Sequence, residues 1–177
     1  MVDYERLKEL KESFKALEDF KEENIKIKIV IEVLKAIGYS LDTFDFEPQV
    51  YDRNKVVDFI IRISKKEHLY VETKRGDYDL AEKDVVQILD YLSRGNIEWG
   101  LLTNGKSYVL LNRKIEPIDN RQGFYSDKIV LTINLFLNNE VKLIKYLSNE
   151  YIFDTKVTLF FKDIEQFKAL RYPPVLR

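Results

Sequence analysis

Two short β-rich segments carry ionisable side chains where a buried strand would carry apolar ones. No other feature of the chain constrains its fold as strongly. Lys55-Val-Val-Asp58-Phe-Ile-Ile-Arg-Ile-Ser64 is followed, across the polar stretch 64–68, by Leu69-Tyr-Val-Glu72-Thr73-Lys74. Side chains alternate faces along a strand, so Glu72 and Lys74 share a face. A turn centred near Lys66 would pair Asp58 with Lys74 and Ile60 with Glu72. All three charged groups would then stand on one side of the sheet, with neighbouring Cβ atoms roughly 5 Å apart. A one-residue slip would carry Asp58 to the other face. The plainer alternative is a surface Glu–Lys pair beside an unrelated Asp, which is worth little. An acid inside an apolar strand argues against that alternative, because burying a charge costs several kcal/mol unless it is paired or metal-bound. Two carboxylates and an ammonium on one sheet face make a Mg2+ site with a catalytic lysine.

What the chain lacks narrows its chemistry. It has no cysteine and one histidine, His68, which excludes cysteine nucleophiles, thiolate zinc sites and histidine metal clusters. A serine triad would have to use His68, which falls in the expected turn. Carboxylate, lysine and hydroxyl chemistry remains, and an oxygen-only metal site favours Mg2+, Mn2+ or Ca2+. The 177 residues, 45 % of them hydrophobic and 33 % charged, suit a single globular domain with a real core. No apolar run approaches the length of a membrane span and no signal peptide opens the chain, so the expected location is cytoplasmic with no membrane partner. With a net charge of −1, nucleic-acid binding would rest on a local basic surface, on metal ions or on a partner that holds the DNA.

Hydrophobic periodicity predicts an amphipathic helix over 3–20, with Leu7, Leu10, Phe14 and Leu17 inward. A second helix is predicted over 22–37, with Ile25, Ile29, Val33 and Ile37 in one stripe and Gly38 as its terminating glycine. Residues 42–50 read as extended or looped, 55–63 and 69–74 as strands, and 75–79 as a loop. Asp79 and Glu82 resemble a capping box for a helix over 80–93 that buries Val85, Ile88, Leu89 and Leu92. Strands over 99–103 and 107–112 flank an Asn104-Gly105 hairpin turn. A further strand is expected over 129–133, and a helix over 137–150 with Val141, Ile144 and Leu147 inward. The tail 155–177 is ambiguous. This order implies an α/β fold with a central mixed β-sheet flanked by α-helices.

Gly100-Leu-Leu-Thr-Asn-Gly105-Lys106-Ser107 satisfies the phosphate-loop pattern G-x-x-x-x-G-K-S/T. A phosphate loop needs a strand before it and a helix after it. Here the first glycine opens a strand and Ser107 leads into another, so a hairpin is expected and no ATP is expected to bind this chain.

Four pieces in order resemble the N-terminal nuclease domain of type I restriction enzyme motor subunits (the R subunit), a branch of the PD-(D/E)xK nucleases. They are the helix of residues 22–39 running into Gly38-Tyr39, the Val57-Asp58 and Glu72-x-Lys74 pair, the Gln87-x-x-x-Tyr91 element, and Trp99-Gly-Leu-Leu-Thr-Asn-Gly105. They cover roughly residues 20–112, and each is weak alone. The resemblance implies a restriction-endonuclease-like core followed by a C-terminal α/β extension. It also implies roles. Asp58, Glu72 and the Thr73 carbonyl would ligate Mg2+ or Mn2+, and Lys74 would orient water and stabilise charge on the phosphate. Glu22, or Glu23 one residue later, would be the acid of the first helix. Next to two acids, Lys74 should stay protonated, which suits charge stabilisation better than a free general base. Gln87 and Tyr91, at i and i+4, share a helix face that points away from Val85 and Leu89 and is placed to border the cleft. Of the basic positions Lys26, Lys28, Arg75, Lys106 and Arg113, some would meet phosphates, though scattered surface charge is the usual finding. Val57 stands where the motif has proline. The larger members continue into ATP-driven translocase domains, whereas this chain stops at Arg177.

The expectation is therefore a stand-alone Mg2+-dependent DNA endonuclease, as a homodimer or within a larger restriction complex. The alternative is a non-catalytic DNA-binding or assembly module that keeps the nuclease fold.

Overall fold

Strands apolar on both faces need a helical layer on each side, and the chain supplies both. The computed structural model describes residues 1–46, 57–64, 68–115, 128–137 and 140–153. Among the described residues, six strands form one sheet: β1 Phe44–Asp45, β2 Phe59–Arg62, β3 His68–Thr73, β4 Trp99–Thr103, β5 Ser107–Asn112 and β6 Ile129–Asn134. They lie side by side in chain order. Every pairing is antiparallel except β3 with β4. That parallel step needs a crossover, and helix α4 (Glu82–Arg94) provides it.

One sheet face carries Phe59, Ile61, Leu69, Val71, Leu101, Tyr108 and Leu110 and packs against the N-terminal helices. The opposite face carries Ile60, Tyr70, Leu102 and Leu111 and packs against Val85, Ile88, Leu89 and Leu92 of α4. The alternation of Phe59, Ile60 and Ile61 between the two cores is the period-2 rule at work. The result is an α/β architecture, a mixed sheet between helices, consistent with a restriction-endonuclease-like core.

Helix α1 (Tyr4–Lys15) starts on Asp3, whose carboxylate accepts the Arg6 N–H at 2.9 Å. It ends earlier than the expected residue 20: the Leu17 N–H bonds the Phe14 carbonyl three residues back, and Asp19 then turns the chain by accepting the Lys21 N–H at 2.9 Å. The second helix is continuous in backbone conformation but not in hydrogen bonding. α2 (Glu22–Ile25) passes through a π turn (Lys26–Val30) into α3 (Ile31–Ala36). The Gly38 N–H bonds the Lys35 carbonyl and the Tyr39 N–H bonds the Leu34 carbonyl, with Gly38 at φ 104°, as a Schellman terminus requires.

Two later helices also need correction. α4 begins at Glu82, and its capping contact runs from the Ala81 N–H to the Asp84 carboxylate at 2.8 Å. Asp79 plays no part in that cap and instead pairs with Lys106 at 3.3 Å. The helix expected over 137–150 is a 3-10 stretch (Val141–Leu147) followed by one helical turn, α5 (Asn149–Ile152). Val141, Ile144 and Leu147 are spaced by three, which suits three residues per turn as well as it suits an α-helix. The expected turn at Lys66, the opening of the 55–63 strand and the tail 155–177 lie outside the described residues. No helix among the described residues is long and apolar enough to cross a membrane.

Candidate active site

The β2–β3 hairpin brings the charged side chains together in a register two residues from the expected one. Ile60 pairs with Tyr70 rather than Glu72, and Phe59 pairs with Val71. Extended by one position, this places Asp58 across from Glu72, not Lys74. A two-residue shift leaves every side chain on its face, so burial patterning does not distinguish the two registers. Asp58 itself sits just before the first paired residue of β2, where the backbone bends. Its Oδ2 accepts the Thr73 N–H at 2.6 Å, in place of a strand carbonyl. Its Oδ1 receives the Lys26 ammonium at 3.3 Å.

Glu72 lies on the α4 face of the sheet and is 6 % exposed. Its Oε1 accepts from Lys74 Nζ at 2.8 Å and from Gln87 Nε2 at 3.1 Å. Lys74 also donates to Gln87 Oε1 at 3.1 Å, and Gln87 Nε2 donates to the Tyr91 hydroxyl at 2.7 Å. The amide orientation follows from the neighbours, since the reverse would set an NH2 against the ammonium. Gln87 therefore braces the Glu72–Lys74 pair from α4. Tyr91 does not border the cleft as expected. It is 7 % exposed and packs in the same core as Val85 and Leu89. Its hydroxyl alone reaches the polar cluster, as buried tyrosines commonly arrange.

Glu22, Lys74, Arg75, Tyr78, Lys83, Asp84 and Gln87 line an open cleft of about 450 Å³ beside this network. Of the two candidate helix acids, Glu22 is the one in the cleft, whereas Glu23 pairs with Lys26 at 2.6 Å. Among the other basic positions, Arg75 pairs with Asp77, Lys106 with Asp79, and Arg113 with Asn96.

The Thr103-Asn104-Gly105 turn holds the strand end that carries Lys74. The Lys74 N–H bonds the Thr103 carbonyl at 2.7 Å, and Asn104 Nδ2 donates to the Tyr78 carbonyl at 2.7 Å. Asn104 Oδ1 accepts the N–H groups of Lys106 and Ser107, and Thr103 Oγ1 accepts that of Gly105. The amides that a phosphate loop would offer are thus consumed by the turn's own side chains, and β5 follows where a helix would be needed. Gly105, at φ 83°, also comes close against Ile25; an added Cβ would lie 2.9 Å from its Cγ2.

A comparison with protein families matches residues 21–123 to the family described as "Type I restriction enzyme R protein N terminus (HSDR_N)". The match spans more than half of the chain. The chain belongs to this family. No curated protein and no solved structure matched in the corresponding searches. The family segment opens at the start of the π-interrupted helix and takes in Glu22, Lys26, Asp58, Glu72, Lys74, Gln87, Tyr91 and the Asn104 turn. Helix α1, strand β6 and α5 lie outside it.

Within the family segment two carboxyls are raised, and burial is the first cause of both. Burial raises the Glu72 carboxyl to about 7; Lys74 pulls it down, while Asp58 and Glu22 push it further up. Partial burial also raises Glu22, with the charge of Asp58 adding to it and Lys74 opposing. Burial works against the Lys74 ammonium, but its bond to Glu72 and the surrounding acids outweigh that and raise it, so it stays a cation. Lys26 follows the same pattern: burial opposes its charge, and Glu23 and Asp58 win.

Lys26 is the residue whose placement sequence reasoning missed. It was expected among scattered surface charges, yet it is half-buried on Asp58 across 32 positions of chain. Its i, i+3 spacing to Glu23 is legible, but nothing in the sequence marks the contact with Asp58. Among the described residues no group of three or more His, Asp or Glu side chains is assembled to hold a metal by side chains alone.

Proposed function

We propose that the chain is a Mg2+- or Mn2+-dependent DNA phosphodiesterase acting within restriction biology. The observation that carries this reading is the buried Glu72–Lys74 pair at the end of β3, with Asp58 against the next backbone amide, inside the family segment. The donors fit such an ion. Asp58 and Glu72 offer carboxylate oxygens, and Mg2+ takes one or two carboxylates and completes its shell with water. The Thr73 N–H already bonds Asp58, and since a residue's N–H and C=O share a side in an extended strand, the Thr73 carbonyl would add a third oxygen. Burial is what chiefly raises the Glu72 carboxyl, with Asp58 and Glu22 adding to it, and a divalent cation beside it would favour its charged form. When bound, the ion would neutralise phosphate oxygens and activate water.

The chain's own residues do the rest. Lys74, fixed by Glu72 and Gln87, presents a permanent cation to the phosphate. Glu22 stands at the cleft wall, where its raised carboxyl suits proton transfer. Gln87 and Tyr91 hold the pair in place and exclude water from its inner side. DNA and a larger restriction complex are the partners that membership of an R-protein family implies. The proposal predicts nicking of supercoiled DNA that needs Mg2+ or Mn2+, stops with a chelator, and is lost in Asp58→Asn and Glu72→Gln. Cleavage that survives the chelator or either substitution contradicts it.

One observation favours a second reading, that of a non-catalytic DNA-binding or assembly module. Asp58 already has a counter-ion in Lys26. That module would bind DNA with the same affinity in wild type and Asp58→Asn, and would cleave nothing with any metal.

A further inference from the structure

The Lys26 ammonium stands between two carboxylates of different character. It lies 3.3 Å from Asp58 Oδ1 and 2.6 Å from Glu23 Oε2. Side-chain exposure is 15 % for Lys26, 14 % for Asp58 and 65 % for Glu23. Asp58 faces the candidate site, whereas Glu23 faces solvent one helical turn before Lys26. Lys26 also opens the π turn, and its carbonyl accepts the Ile31 N–H five residues on. Such single wide turns are frequent at functional sites. Asp58 thus has a monovalent counter-ion built into the fold, and that counter-ion has a second anchor already in place.

We propose that Lys26 is a resident cation that competes with a divalent ion for Asp58 and transfers to Glu23 when the ion binds, so that Lys26 and Glu23 together set the metal affinity of the site. The inference rests on the assignment of Asp58 as a metal ligand. An ammonium and a divalent cation on one carboxylate repel strongly in a half-buried setting, enough to change affinity by about tenfold. The shorter contact to Glu23, an i, i+3 pair on one helix, gives the displaced ammonium a partner without rebuilding the backbone.

Calorimetric titration of the full chain with MnCl2 or MgCl2, without DNA, tests this. Lys26→Met should bind about tenfold more tightly than wild type. Glu23→Gln should bind several-fold more weakly, and its effect should vanish in the Lys26→Met background, because the two act as a unit. Lys26→Gln serves as a second variant should Lys26→Met fold poorly by circular dichroism. Equal or weaker binding in folded Lys26 variants, or an unchanged Glu23→Gln effect in the double variant, overturns the inference and leaves the metal site standing, provided that binding is lost in Asp58→Asn. Absence of any Asp58-dependent binding in wild type and Lys26→Met alike overturns the metal assignment itself.

Discussion

Glu72 occupies a position that works against its charge. Its folded carboxyl titrates near 7, against 4.5 for an unperturbed glutamate. The folded state therefore holds a proton that the unfolded chain releases, and stability falls as pH rises from about 4.5 through 7. Glu72→Gln removes that loss. Urea denaturation across pH 4–8 should show the variant more stable above pH 7, by on the order of 3 kcal/mol at most, and matched to wild type near pH 4. Parallel curves would contradict the account. Asn104 offers a second residue-scale prediction, because its two functions separate. Asn104→Asp keeps the oxygen that caps the turn but loses the donor to the Tyr78 carbonyl. It should cost about 1–3 kcal/mol and speed amide exchange in residues 75–79. Asn104→Ala should cost more, since the turn loses its cap as well. The charged trio was legible because charges in apolar strands are anomalous. The Lys26–Asp58 contact was not, since it depends on how a helix lies across a strand end.

Elements were legible where one physical signal dominated. Strands β3, β4 and β5 came from apolar runs bounded by turn residues, and α4 from its buried stripe of Val85, Ile88, Leu89 and Leu92. The failures fall where two geometries share a pattern. A spacing of three suits both α and 3-10 helix over Val141–Leu147, and a hairpin register shifted by two residues keeps every side chain on its face. The π turn leaves no trace in the hydrophobic pattern, since Ile25, Ile29 and Val33 are buried all the same. The terminus of α3 makes a clean test of a sequence-level expectation. A Cβ on Gly38 would meet nothing within 4 Å, so Gly38→Ala carries no clash and pays only for its backbone at φ 104°. It should destabilise the chain by about 1–2 kcal/mol in denaturant melts. No loss at all would mean that the helix does not end in the observed turn.

At the scale of the molecule, the sheet and its two helical layers exist in part to hold opposing charges at one strand end. Glu22, Asp58 and Glu72 interact with Lys26 and Lys74 where the π-interrupted helix, β2, β3 and α4 converge, and burial chiefly raises Glu72 and Glu22 there. A divalent ion bound there should stabilise the whole fold. At a hundredfold excess over its Kd the gain is about 2.7 kcal/mol, visible as a rise in melting temperature with MgCl2 that Asp58→Asn abolishes. An equal rise in the variant would place the ion elsewhere. The central claim is that this cluster acts on phosphodiesters through a fixed Lys74 cation, and it is tested most directly by metal-dependent nicking of supercoiled DNA by Lys74→Ala beside wild type, with Mn2+ binding measured on the same samples. The account predicts that the variant still binds Mn2+ and loses at least about a hundredfold in rate, the usual scale for removing one preorganised charge-stabilising group. Equal nicking by both proteins would contradict it.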